Sequence, residues 1–127
     1  MEKEIIATKN APAALGPHSQ AVKAGGFVFT SGQLPLDPSS GKMVGGGIEN
    51  ETKQTLENLK AILEASGSSL NEVVKTTVFI TDMDDFAKMN AVYGQYFAES
   101  FPARATVEVS GLAKNAKVEI QAIAMCE

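Results

Sequence analysis

Few side chains in this sequence are equipped for chemistry, and their types narrow what that chemistry can be. Cationic residues are ten lysines and a single arginine, Arg104. A guanidinium donates two parallel hydrogen bonds to a carboxylate, a geometry an ammonium cannot copy. Arg104 follows Pro102 at the start of an apolar-alternating segment, where a restrained backbone would aim it; a lone surface arginine would give the same count. Glu119 stands inside the apolar run KVEIQAIAM, so its carboxylate is either solvated on an outer face or buried with a partner. Asn90 is at i+4 from Phe86 on an apolar helical stripe, a poor place for an amide unless it bonds outside the helix. His18, in GPHSQ, is the one imidazole and so the natural acid–base candidate, although a loop histidine is more often a surface residue. Ser31 and Gly32 end one strand and open a long loop, where an unpaired N–H can face a ligand. Thr106, Glu108 and Ser110 share the face of Arg104, which makes that strand unusually polar on one side.

The same inventory excludes several classes. His18 and Cys126 are the sole imidazole and the sole thiol, so one chain cannot assemble a His/Cys zinc site. Gly45-Gly46-Gly47 has no following Lys-Ser/Thr and leads into Glu49 and Glu51, which would repel a phosphate. No G-x-S-x-G elbow is present, and Cys126 has no convincing histidine partner. A net charge of −4 with scattered lysines gives nothing that favours nucleic acid. No segment approaches the ~18 apolar residues of a membrane span, and MEKEIIATKN lacks the apolar core of a secretory signal. With one cysteine and 127 residues, the expectation is a soluble, cytoplasmic, single domain over residues 1–127 that needs no metal and no cofactor.

The elements that must position these residues follow from periodicity. Strands are expected over residues 3–8, 21–23 and 27–31, the last two joined through Gly25-Gly26, with room for a short strand at 42–44. A helix is expected over 48–66, with Glu49 and Glu51 at its positive end and Gly67 as its stop. A strand over 72–81 precedes a second helix, capped by Asp82 or Asp84, whose stripe is Phe86, Met89, Tyr93 and Phe97. Two strands, 104–109 and 117–125, close the chain. The result is an α+β fold with both helices packed on one sheet face. In a simple hairpin of the last two strands, Arg104 would face roughly position 122, about 10 Å out of register with Glu119. A site using both therefore needs another strand order or a neighbouring chain.

Five runs, NAPAALGPHSQAV, FTSGQLPLDPSSG, VVKTTVFITDMDDFAKMNAVYGQYF, FPARATVEV and KVEIQAIAM, together resemble the RidA/YjgF family of reactive-intermediate deaminases, collinearly over essentially the whole chain. The resemblance implies a chorismate-mutase-like α+β domain with a mixed sheet, assembled as a homotrimeric barrel with a ligand cleft at each subunit interface. It implies hydrolysis of 2-imino acids such as 2-iminobutanoate and 2-iminopropanoate to 2-oxo acids and ammonia. Arg104 would hold the substrate carboxylate and Glu119 would position or activate water. Ser31, Gly32 and Asn90 match the family's substrate pocket, whereas His18 and Thr106 stand where deaminase members usually carry tyrosine and cysteine. A non-catalytic binder of small carboxylates is the competing class, and a ribonuclease or translation inhibitor a further one that the acidic charge balance opposes.

Overall fold

Alternation governs the sheet. The computed structural model describes residues 2–127, with strands β1 (Glu4–Ile6), β2 (Ala21–Ala24), β3 (Phe27–Thr30), β4 (Val73–Ile80), β5 (Ala103–Glu108) and β6 (Val118–Met125). They form one six-stranded sheet in the order β1-β2-β3-β6-β4-β5, antiparallel except for the parallel pair β4–β5. In β6, Val118, Ile120, Ala122 and Ala124 are buried while Gln121 and Met125 are exposed, as period-2 patterning requires. Thr76, Val78 and Ile80 of β4 lie on the same buried face.

That face is covered by helices α1 (Gly47–Ala65) and α2 (Phe86–Tyr96). Leu56, Leu59, Ile62 and Leu63 of α1 are all 0% exposed, and burying each contributes roughly 1.5–3 kcal/mol. The helix stops where Gly67 adopts φ +83°. The Gly67 N–H then bonds Glu64 O and the Ser68 N–H bonds Leu63 O, the paired bonds of a Schellman end. At the other end Glu49 is exposed, as a residue beside the helix dipole should be, but Glu51 is not. It is buried, and Oε1 accepts the Lys117 N–H at 2.8 Å, tying α1 to the chain entering β6. Asp82 caps through the Asp84 N–H at 2.9 Å a single 3-10 turn, Met83–Asp85, which runs directly into α2. Met89, Tyr93 and Phe97 are buried beneath it, and Phe86 is half-buried.

Two expectations need adjusting, and one open alternative is decided. The first strand is shorter than residues 3–8, and at 42–44 there is a single bridge, Leu36 to Met43, not a strand. The last two strands do not form a hairpin: β4 lies between them, because the β4–α2–β5 crossover returns the chain parallel to β4 and leaves β5 at the sheet edge. The sheet face opposite the helices is open. Phe29, Phe27, Val107 and Met125 stand on it, the first and last 44% and 45% exposed.

Candidate active site

The candidate residues gather into two groups on opposite sides of the sheet. In register, β4 pairs Thr76 with Arg104 and Phe79 with Glu119. Thr76 belongs to the buried, helix-side face and Phe79 to the open face, so the guanidinium and the carboxylate leave the sheet in opposite directions. Three residues of β4 separate the two pairings, roughly 10 Å along the strands. One chain does not bring Arg104 and Glu119 together.

The first group surrounds Arg104. Its Nη1 donates to Asn90 Oδ1 at 2.8 Å, the bond outside the helix that an amide on the α2 stripe required. The guanidinium carbon lies 4.8 Å from the centre of the Tyr93 ring and 5.6 Å from that of Phe86, within cation–π range of both. Tyr93 is itself fixed, its hydroxyl 2.6 Å from Thr76 Oγ1 in the core. Burial pushes the Tyr93 phenol above its usual pKa, so it stays neutral beside the cation. Glu108, two strand positions beyond Thr106 on the edge strand β5, accepts the Met83 N–H through Oε1 at 2.6 Å and so ties β5 to the 3-10 turn that leads into α2. Thr106 is half-buried, with Oγ1 turned inward and unpartnered among the described residues.

Glu119 anchors the second group. Between the pairs Phe29–Ile123 and Gln33–Ile120 the β3 side spends four residues against three on β6. This extra residue is a bulge, a device that re-aims side chains. Thr30 Oγ1 takes the Ala122 N–H at 3.0 Å where the ladder breaks. Gly32 emerges against Glu119: a Cβ there would collide with Oε2 of Glu119 and sit 2.7 Å from its Cδ. Only a residue without a side chain leaves the carboxylate its present place. Burial raises the Glu119 carboxyl above the ordinary carboxylate range, which suits a group that exchanges a proton.

The loop that carries His18 is tied to Ser31, the neighbour of Gly32. The Ser31 N–H bonds Gln20 O at 2.9 Å and the Ser31 hydroxyl bonds Ser19 O. The buried Gln20 amide holds the Thr8, Ala11 and Pro12 carbonyls and receives the Thr8 N–H at 2.7 Å. A segment without regular structure is thus held rigid by one side chain, and the exposed His18 sits on its outer surface. The hub role of Gln20 and the braces Tyr93 and Thr76 were not legible as site residues. Tyr93 reads as a core residue by spacing, and the clue was its hydroxyl, which must find a partner when buried.

Comparison with known proteins identifies the fold and the family. The model of the family described as Endoribonuclease L-PSP matches residues 8–126. A RutC family protein of Pyrococcus horikoshii is 59% identical over 125 residues, covering 98% of this chain and 99% of that one. The mouse 2-iminobutanoate/2-iminopropanoate deaminase is 50% identical over 123 residues, covering 97% and 91%. The crystal structure of Escherichia coli TdcF with bound serine superposes with a TM-score of 0.93 at 45% identity, covering 98% of this chain and 99% of that one. The fold thus defines a small α+β protein with a mixed sheet and two helices. The chain belongs to the RidA/YjgF family.

Proposed function

We propose that the protein hydrolyses reactive 2-imino acids, such as 2-iminobutanoate and 2-iminopropanoate, to 2-oxo acids and ammonia without metal or cofactor. Relatives at about 50% identity bear the name of this activity, and a structural neighbour is described with a bound amino acid, serine. Arg104 grips the substrate carboxylate through the guanidinium edge that Asn90 leaves free. Ser31 and Gly32 offer backbone groups, Thr106 its main chain, and His18 borders the substrate's far end. Water adds to the C=N carbon of the protonated imine as Glu119 takes its proton. That proton passes to the nitrogen, Glu119 takes the hydroxyl proton of the adduct as the C–N bond breaks, and ammonia carries it off as ammonium, leaving a 2-oxo acid and ionised Glu119. An imine carbon is already electrophilic, so orientation and proton transfer are the contributions the protein must make.

The observation that carries this reading is the Glu119 carboxylate seated against Gly32, a proton acceptor that simple carboxylate binding does not require. Because Arg104 and Glu119 leave opposite sheet faces, each site takes Arg104 from one copy and Glu119 from another. Three copies, closing their open sheet faces into a barrel, bury Phe29 and Met125. No helix among the described residues is long and apolar enough to cross a membrane, and a cytoplasmic location belongs to the same proposal. A carboxylate-binding regulator would need Arg104 and no proton acceptor, and ribonuclease activity finds little support in a net charge of −4. The test is release of 2-oxo acid and ammonia from imines generated in situ, above a no-enzyme control. A rate equal to the spontaneous one refutes the proposal.

A further inference from the structure

We infer that Asn90 is a positioning residue that sets anion affinity by holding the Arg104 guanidinium still while leaving its charge uncompensated. The inference rests on the proposal that Arg104 anchors the substrate carboxylate. Around Arg104 the contacts close into a frame. Strand register joins Arg104 to Thr76. The hydroxyl pair at 2.6 Å joins Thr76 to Tyr93. The Tyr93 ring stacks on the guanidinium at 4.8 Å. One turn of α2 back from Tyr93, Asn90 Oδ1 receives Nη1 at 2.8 Å. Each partner in this frame is uncharged: an amide dipole, the phenol ring and the Phe86 ring at 5.6 Å. The nearest carboxylate on the same strand face, Glu108, is committed to the Met83 N–H and stands about 13 Å from Arg104 along the strand. The cation is held by groups that fix its orientation and cancel none of its charge, which leaves the remaining guanidinium donors for an incoming carboxylate.

Neutrality at position 90 is therefore as important as the hydrogen bond, and the two are separable. Asn90→Asp is isosteric and bonds Arg104 more strongly, but its carboxylate occupies the charge that the ligand needs. Asn90→Ala removes the bond and leaves the charge free. The readouts are 2-oxobutanoate affinity by calorimetry, KM and kcat for imine hydrolysis, and thermal midpoint. Asn90→Asp is expected to raise Kd and KM on the order of 100-fold with a midpoint at or above wild type. Asn90→Ala is expected to raise Kd about tenfold or less. If Asn90 merely braced α2, alanine would lower affinity and midpoint together, and aspartate, the stronger brace, would restore both; that result overturns the inference. Wild-type affinity in Asn90→Asp, with Arg104→Lys weakened, overturns the role of Asn90 alone. Undiminished binding in Arg104→Lys overturns the anchor, and this inference with it.

Discussion

Lysine and arginine carry the same charge, so exchanging them at position 104 isolates geometry. Arg104→Lys loses the planar fork, the bond to Asn90 Oδ1 and the stacking on Tyr93. Turnover efficiency is expected to fall on the order of 10²-fold or more, with the fold intact by circular dichroism; near-normal kcat/KM removes Arg104 from the anchor role. For Glu119 the informative variable is pH. A general base must be ionised, and burial holds this carboxyl above the ordinary range, so kcat/KM should fall as pH drops through that raised pKa. Glu119→Gln should lose the acid limb along with roughly 10²–10⁴-fold of turnover. The linkage sign adds a stability readout. A folded pKa above the unfolded one favours the neutral form, so its stabilising effect is present at low pH and lost as pH rises through the folded pKa. At neutral pH Glu119→Gln should thus melt no lower than wild type, and a clearly lower midpoint in calorimetry would make Glu119 a structural residue. These residues were legible in the sequence because each violates a local rule: one arginine among lysines, one glutamate in an apolar strand, one asparagine on an apolar stripe. Their partners were not, since Asn90 meets Arg104 only once α2 lies against β5.

At the scale of elements, the bulge after β3 decides where Glu119 can rest. Gly32 does not adopt a positive φ, so alanine is compatible with its backbone, and the obstacle is the Glu119 carboxylate alone. Gly32→Ala is expected to reduce kcat by about 10²-fold while shifting the thermal midpoint little, because a flexible side-chain end yields before the backbone does. A fully active Gly32→Ala protein would mean that the present seat of the carboxylate is not the working one. Periodicity located both helices and the β6 alternation, and Gly67 marked the end of α1, because those signals are local. Strand order was not local. The insertion of β4 between β5 and β6 depends on which edge the α2 crossover reaches, and the bulge depends on pairing between β3 and β6, some 90 residues apart in the chain.

For the whole molecule, the decisive fact is that a single chain separates its guanidinium from its carboxylate by the thickness of the sheet. The open face with Phe29 and Met125 gives neighbouring copies a surface to bury. Sedimentation at micromolar concentration should therefore find a trimer, and a stable monomer would leave the site without half its groups. The most direct test mixes two dead proteins. Arg104→Lys and Glu119→Gln subunits, separately tagged and refolded together, assemble trimers in which some interfaces pair an intact Arg104 with an intact Glu119 from the next copy. Every mixed cyclic trimer, whether 2:1 or 1:2, holds about one such interface in three. Purified mixed trimers should recover imine turnover toward about a third of the wild-type rate, although neither parent has it. Mixed trimers as inactive as their parents would contradict a site shared between copies.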